Sequence, residues 1–332
     1  MSDFRIDKIT NRDGSAGTQI AGISTFSGTS GMVMPGGSFE YRGGRGRGVF
    51  GSGATPSATN VIDMIEIATT ANSTDFGDDN LVREEGYAAF ASPTRGCMAG
   101  GYVSPGVNTK DIAYVTISSQ GGVSDFGDLN VAASRNVGLS DSTRGISAGG
   151  ADPTTNIIEY VTIATTGDGS DFGTLSIATY GSGACASPTR GLIAGGNPNT
   201  NNIDYITIQT KGNAETFGNL TDDPNHLAGC SNSTRGLFAG GQNPSNVDVI
   251  AYVTIATLGN AIDFGNLANA TDYLGACASA TRGVFGGGQT PAKLDTIQYV
   301  TITSTGDTVD FGNLTVARRF CMGLSDVHGG LG

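Results

Sequence analysis

Three sets of residues in this chain recur, or are rare, in ways that invite a chemical reading. The first is Asp-Phe-Gly, which occurs at Phe76, Phe126, Phe172, Phe264 and Phe311, with Thr216 replacing Asp before Phe217. A single Asp-Phe-Gly could hold the metal ion of a phosphoryl-transfer site. That chemistry also needs a glycine-rich phosphate loop, a strand lysine and a His-Arg-Asp loop, and none accompanies the triplet. The expected role of Phe is a recurring hydrophobic anchor, with the glycine permitting a turn that a side chain would block. The second set is Arg-Gly at Arg47, Arg95, Arg144, Arg190, Arg235 and Arg282, preceded by Thr in the last five. Six like-placed guanidiniums admit two uses. They could line an axial channel and bind an anion, or each could bond a nearby carbonyl or the Asp before Phe and so pin one unit to the next. The second use is favoured, because Asp and Arg both recur as fixing parts would.

The third set is the two histidines and five cysteines. His226 and His328 lie outside the repeated words, which leads us to expect solvated rings, and no Cys/His cluster has zinc spacing. No Gly-x-Ser-x-Gly elbow stands with His and Asp partners. Cys185, Cys230 and Cys277 fall in register with Phe90, Leu139 and Leu324. A position that accepts Cys, Phe or Leu is an apolar core position rather than a disulfide or metal ligand. No catalytic residue, metal site or cofactor is expected, and the chain is expected not to be an enzyme.

The elements that carry these residues follow from the repeat. The step from Phe to the next Arg is 18 residues in most copies and 19 in the first, and the same offset from Phe311 falls on Gly329. From Arg47 to that point is 282 residues, which is six units of 47. Each unit reads as four short strands. A small apolar segment such as SGACAS is followed by a Thr-Arg-Gly turn and an apolar run closed by Gly-Gly. After a variable loop come a β-branched, aromatic strand such as IDYITI and then the Phe-Gly segment. In the third strand Ile297, Tyr299 and Thr301 alternate with Val300 and Ile302, so neither face is wet and the strand is expected between neighbouring sheets. The fold expected is all-β: a six-bladed propeller of about 47 residues per blade over residues 41–332, preceded by an extended N-terminal arm over 1–40. Closure is expected through a C-terminal strand at Cys321 to Ser325 pairing with an N-terminal one at Arg47 to Gly53, which removes an open edge.

The chain has 332 residues, 53 of them Gly and none Trp, with a net charge of −12 and a pI near 4.4. That charge repels phosphate backbones, so no nucleic-acid partner is expected, and the short GRGRG stretch at Arg45 and Arg47 is too small to reverse it. No stretch approaches the roughly 20 apolar residues of a membrane span, and the N-terminus lacks a signal-peptide core. The chain is expected to be made in a cytoplasm, with no membrane insertion.

An apolar strand, Gly-Gly, a variable loop, an aromatic β-branched strand and a terminal aromatic residue together resemble the kelch repeat. The pairs here are Gly100-Gly101, Gly149-Gly150, Gly195-Gly196, Gly240-Gly241 and Gly287-Gly288, and the third-strand aromatics are Tyr114, Tyr160, Tyr205, Tyr252 and Tyr299, with Met64 in the first copy. The chain departs from kelch units in having Phe where they carry Trp. The wording YVTIAT…DFGNL…LGACAS.TRGVFGGG, with the leading ITNRDGSAGTQIAGIST, is similar to repeats in virion proteins of marine tailed phages. This resemblance implies a virion location and a structural protein, foremost a tail-fibre or appendage protein that meets a host-cell glycan or surface protein. A capsid- or tail-decorating protein, or a kelch-type interaction scaffold, is the alternative. Propeller enzymes fit poorly: a galactose-oxidase-like site needs two clustered His and a Tyr–Cys pair, and a sialidase-like site needs an arginine triad.

Binding is expected where the units differ. The loops after Gly-Gly read ATPSAT, YVSPGVNTK, ADPTTN, NPNTN, QNPSNV and QTPAKL, and they offer Thr55, Asn108, Thr154, Asn199, Asn243 and Lys293 as candidate binding residues. The arm is expected to attach the protein to other virion proteins, and association with further copies of the chain is compatible with this reading.

Overall fold

The computed structural model describes residues 25–27, 31–33, 46–55, 59–103 and 106–331. The chain divides into two compact units, 1–41 and 42–332. Within the first, Thr25–Ser27 pairs antiparallel with Gly31–Val33. The expected arm otherwise falls outside the described residues, as does Arg45.

The second unit is all-β, with six four-stranded antiparallel sheets and no α-helix among the described residues. Sheet I joins Met322–Ser325, Arg47–Gly51, Val61–Glu66 and Thr74–Asp78, in that order. Sheet II is Ala88–Ala91, Arg95–Ala99, Asp111–Thr116 and Ser124–Asp128, and sheet III is Val137–Ser140, Arg144–Ala148, Ile157–Thr162 and Ser170–Thr174. Sheet IV is Gly183–Ala186, Arg190–Ala194, Asn202–Thr207 and Glu215–Asn219, and sheet V is Ala228–Ser231, Arg235–Ala239, Val249–Thr254 and Ile262–Asn266. Sheet VI is Gly275–Ala278, Arg282–Gly286, Thr296–Thr301 and Val309–Asn313. The strand at Met322–Ser325 therefore pairs with Arg47–Gly51 from the other end of the chain, from Gly48 opposite Ser325 to Gly51 opposite Met322. Both strands are shorter than the sequence suggests, because the chain turns at Ser52 with φ of 49°.

The sheets are held face to face in a propeller-like arrangement. Six clusters of buried apolar side chains each lie between two neighbouring sheets, in the order I–II, II–III, III–IV, IV–V, V–VI and VI–I. Third strands are covered on both faces: Ile297, Val300 and Ile302 are buried and Tyr299 is half-buried, although Thr301 at the strand end is exposed. Cys185, Cys230 and Cys277 are buried in first strands beside the equivalent Phe90, Leu139 and Leu324, and all five cysteines are unbridged. Burial raises these thiols, Cys230 to about 12, so they behave as small apolar fillers.

The recurring arginine is an inter-sheet pin. Each Nη1 donates to the carbonyl that follows the third strand of the next sheet: Arg47 to Ile117, Arg95 to Ile163, Arg144 to Ile208, Arg190 to Ile255, Arg235 to Ile302 and Arg282 to Ile67, at 2.8 to 3.0 Å. In five sheets the same guanidinium lies 4.4 to 4.7 Å from the centre of its own sheet's tyrosine ring. Those tyrosines meet the Phe of Phe-Gly edge-on, at 5.8 to 6.4 Å. Sheet I has Met64 instead of a ring, and Arg47 pairs with Glu66 at 3.2 Å. Of the alternatives open from sequence, the carbonyl is the partner. The Asp before Phe is exposed and binds no arginine among the described residues.

The Phe-Gly glycine does not make a turn. It sits inside the fourth strand, where the segment before the next sheet's fourth strand crosses it: Gly121, Gly167, Gly212, Gly259 and Gly306 donate their N–H to the carbonyls of Phe76, Phe126, Phe172, Phe217 and Phe264. A Cβ on Gly77 would lie 2.5 Å from the Gly121 oxygen, so the outer edge of each sheet closes only over glycine.

Buried polar bonds stitch the same interfaces. One third-strand position carries Asp63, Glu159, Asp204 and Gln298, and each accepts from the segment after the preceding sheet's fourth strand, at Thr315, Asn130, Ser176 and Ala268. Asp63 also forms an ion pair with Arg318, and both side chains are fully buried. Arg83, likewise buried, is held by Asp79 at 3.1 Å and by Asp111.

Candidate functional site

The first strands follow one another around the interior. Their second residues alternate in type: Ala89, Gly138, Ala184, Gly229, Ala276 and Gly323. A Cβ on Gly138, Gly229 or Gly323 would overlap the backbone of Ala89, Ala184 or Ala276 respectively, so the strands approach in three pairs, II–III, IV–V and VI–I. Fourth residues alternate as well. Ser140, Ser231 and Ser325 donate at 2.6 to 2.8 Å to the carbonyls of Ala91, Ala186 and Ala278 in the paired strands. These small residues form a waist between two cavities.

The lower cavity, about 60 Å³, is lined by first-strand residues and His328. The His328 Nδ1 accepts from the Gly330 N–H at 3.1 Å, so Nε2 is the protonated nitrogen and donates to the Ala91 carbonyl at 2.9 Å. The 3₁₀ turn Gly329–Leu331 packs against first strands of sheets III, IV and V, flooring the well at the end where the arginine turns lie.

The upper cavity, about 130 Å³, opens at the opposite end. Its rim is the residue two places before each first strand: Gly86, Arg135, Gly181, His226, Tyr273 and Phe320. Each of the last five donates its N–H to the carbonyl of the one before, at 2.5 to 3.1 Å. Arg135, His226, Tyr273 and Phe320 take φ of 53 to 57°, the left-handed region, where Gly181 sits at 64°. Holding four bulky residues there costs about 1 kcal/mol or more each, and two of the six copies use glycine. The four side chains pack against one another and their neighbours around the mouth. His226 and Tyr273 meet at 4.3 Å and Tyr273 and Phe320 at 4.0 Å, with their ring planes tilted by 44° and 47°, and Tyr180 lies 6.0 Å from His226. The Arg135 guanidinium covers Tyr180 and Phe320 at 5.5 and 5.8 Å and pairs with Glu85 at 2.6 Å.

The loops after Gly-Gly flank this rim, as bridges from Ala54 to Arg319, Ser134 to Ala151, Tyr180 to Asn197, Asn225 to Gln242 and Asp272 to Gln289 show. Among the sequence-derived binding residues, Thr154 and Asn199 are exposed, and Asn199 accepts from Asn225 at 2.7 Å. Asn108 donates to the Ala151 and Asp152 carbonyls at 3.0 and 3.2 Å, and Asn243 donates to Asp223, so both brace loops. Thr55 follows the Ala54 bridge and is half-buried. Lys293 is half-buried in the hairpin Gln289–Thr290/Ala292–Lys293, close to Arg319. The rim residues escaped the sequence reading because their types differ from copy to copy. Their signal was a shared offset from the first strand, with bulk where other copies carry glycine.

The expectation of solvated histidines is corrected. His226 is half-buried, and burial first and the Arg135 charge second push its pKa down to about 3. Its folded pKa is depressed, so its contribution is present above pH 6.5 and is lost as pH falls from 6.5 towards 3. Buried Asp272 works in the opposite sense: desolvation raises it to about 6, so its contribution is greatest below its unfolded pKa near 4 and is lost as pH rises through 6. Urea unfolding of wild type and His226→Gln isolates the first effect. Between pH 7 and 4.5 the wild type is expected to lose about 2 kcal/mol more than the variant. Parallel losses would mean that His226 charges freely in the folded state.

Among the described residues no group of three or more His, Cys, Asp or Glu is placed to hold a metal ion, and no helix is long and apolar enough to cross a membrane. No protein-family model matches the chain, and no curated protein matches its sequence.

Proposed function

We propose that residues 41–332 form a closed six-bladed kelch-like β-propeller serving as a non-enzymatic recognition module. In this reading the module is part of a tailed-phage virion, foremost as a tail-fibre or appendage protein. Its loop face meets a host-cell glycan or surface protein, and residues 1–40 attach it to other virion proteins. Six sheets in cyclic order, a strand shared between the chain ends and six arginine pins support the closed ring. The virion assignment rests on the sequence resemblance alone.

The observation that carries recognition is the rim. An aromatic and cationic mouth, held at a backbone cost, opens among the loops that vary most between copies. A rigid frame that presents variable loops around a concave site is the arrangement in which binding usually resides.

The test has two parts. Glycan-array binding of the full chain should be selective, and Tyr273→Ala should abolish it while leaving the melting temperature within a few degrees. A reconstruction of a particle containing the chain should place residues 1–40 against another virion protein with the loop face outward. Loops buried against neighbouring subunits, together with no selective glycan, would replace recognition by decoration.

A further inference from the structure

The arginines of the described residues sort by what they bind. Six are inter-sheet pins, and Arg83, Arg135 and Arg318 sit in ion pairs. Arg319 is the exception. It directly precedes the rim residue Phe320 and makes neither a pin nor an ion pair among the described residues. Its Nη1 donates to the Gln289 side-chain oxygen at 3.0 Å, and its Nε is buried without a partner. The guanidinium lies 5.7 Å from the Tyr273 ring centre and 5.1 Å from that of Phe320, over both rings rather than in an ion pair.

A second cation stands beside it. Lys293 pairs with Gln289 across a two-stranded hairpin, so the residue that braces Arg319 also positions Lys293. Lys293 too is in no ion pair among the described residues. Its pKa is lowered, by desolvation first and by the Arg319 charge second, with Glu84 acting in the opposite sense. Of the other acidic groups here, Glu85 is held by Arg135, and Asp272, which feels the Arg319 charge without forming an ion pair with it, accepts from Asn246 at 3.1 Å. A chain with a net charge of −12 thus places Arg319 against two rings that line the cavity, with Lys293 next to it and neither cation in an ion pair among the described residues. Like charges this close repel, and an anion between them would reverse the sign of the interaction.

We propose that Arg319 and Lys293 form an anion subsite of the mouth, and that the ligand is an anionic sugar residue whose ring stacks on Tyr273 while its acidic group sits on the two cations. A cavity of about 130 Å³ has room for one six-membered ring. A guanidinium fork suits carboxylate and phosphate alike, so the shared chemistry is a sugar bearing either group. The inference rests on the mouth being the recognition site and adds the class of ligand.

Isothermal titration of the full chain with glucuronate, glucose 6-phosphate and glucose tests it. At least one acidic sugar is expected to bind ten-fold or more tightly than glucose, and the tighter of the two identifies the acidic group. Arg319→Gln and Lys293→Gln should each remove most of that preference without changing the melting temperature, and 0.5 M salt should do the same. Equal binding of glucose and the acidic sugars, with Tyr273→Ala weakening all three, overturns the anion subsite but leaves the mouth as a neutral-sugar site. Acidic-sugar binding that survives Arg319→Gln overturns the assignment to these residues. No binding of any of the three, with selective array binding that Tyr273→Ala does not affect, moves recognition away from the mouth and overturns both readings of it.

Discussion

A chain cut after Arg319 is expected to lose its fold. The cut removes Met322–Ser325, the strand that completes sheet I, and leaves the edge of Arg47–Gly51 unpaired. Phe320, Cys321, Met322, Leu324 and Val327, each at most 7% exposed, go with it. Burying side chains of this size contributes about 1.5–3 kcal/mol each, so the sum is of order 10 kcal/mol, comparable to the whole stability of an ordinary domain. Polar bonds are lost as well: Asp326 no longer accepts from the Gly46 and Arg47 N–H groups, nor Ala278 from Ser325. The expected outcome in size-exclusion chromatography and thermal melting is aggregation or a fall of more than 10 °C in melting temperature, with partial rescue by a peptide of residues 320–332. A monomer with unchanged melting would refute closure through the chain ends.

The second large effect is at the buried pair Asp63–Arg318. Arg318→Met leaves a carboxylate in a buried interface, where Thr315 still donates to it at 2.6 Å but its ion-pair partner is gone. Removing one partner of a buried pair costs about 3–5 kcal/mol, whereas replacing both with apolar residues of similar volume is often nearly neutral. Urea unfolding should therefore rank Arg318→Met well below wild type and the double variant Asp63→Leu/Arg318→Met between them. A single variant within 1 kcal/mol of wild type would mean that water reaches the pair. The equivalent position in sheets III, IV and VI carries Glu159, Asp204 and Gln298, which accept from the preceding sheet in the same way.

The Phe and Arg columns were legible because each is a repeated residue whose chemistry is the same in every unit. The cysteine column was legible for the complementary reason: exchange among Cys, Leu and Phe leaves burial as the only common property. The partner of the arginine was not legible. From sequence, the nearby carbonyl and the Asp before Phe were both open, and the choice depends on how far the next sheet is rotated and shifted. The role of the Phe-Gly glycine was misjudged for the same reason. A glycine that admits a neighbouring backbone and one that makes a turn read alike in a single strand, and only the crossing of Gly121 over Gly77 distinguishes them.

The sequence by itself determined the units: their number of copies, the four short strands in each, and which columns would be buried. Alternation of side chains along a strand and the turn chemistry of Gly and Thr-Arg are local properties, set by the residue and its few neighbours. The tertiary structure decided which columns meet. Arg135, His226, Tyr273 and Phe320 are 45 or more residues apart from one another, and nothing in one unit selects its counterpart in the next. They form a rim because the first strands follow one another around a common interior, close enough that every second strand needs glycine. That spacing arises from packing between sheets, and it alone brings Arg135, three closely packed rings and the variable loops to one mouth.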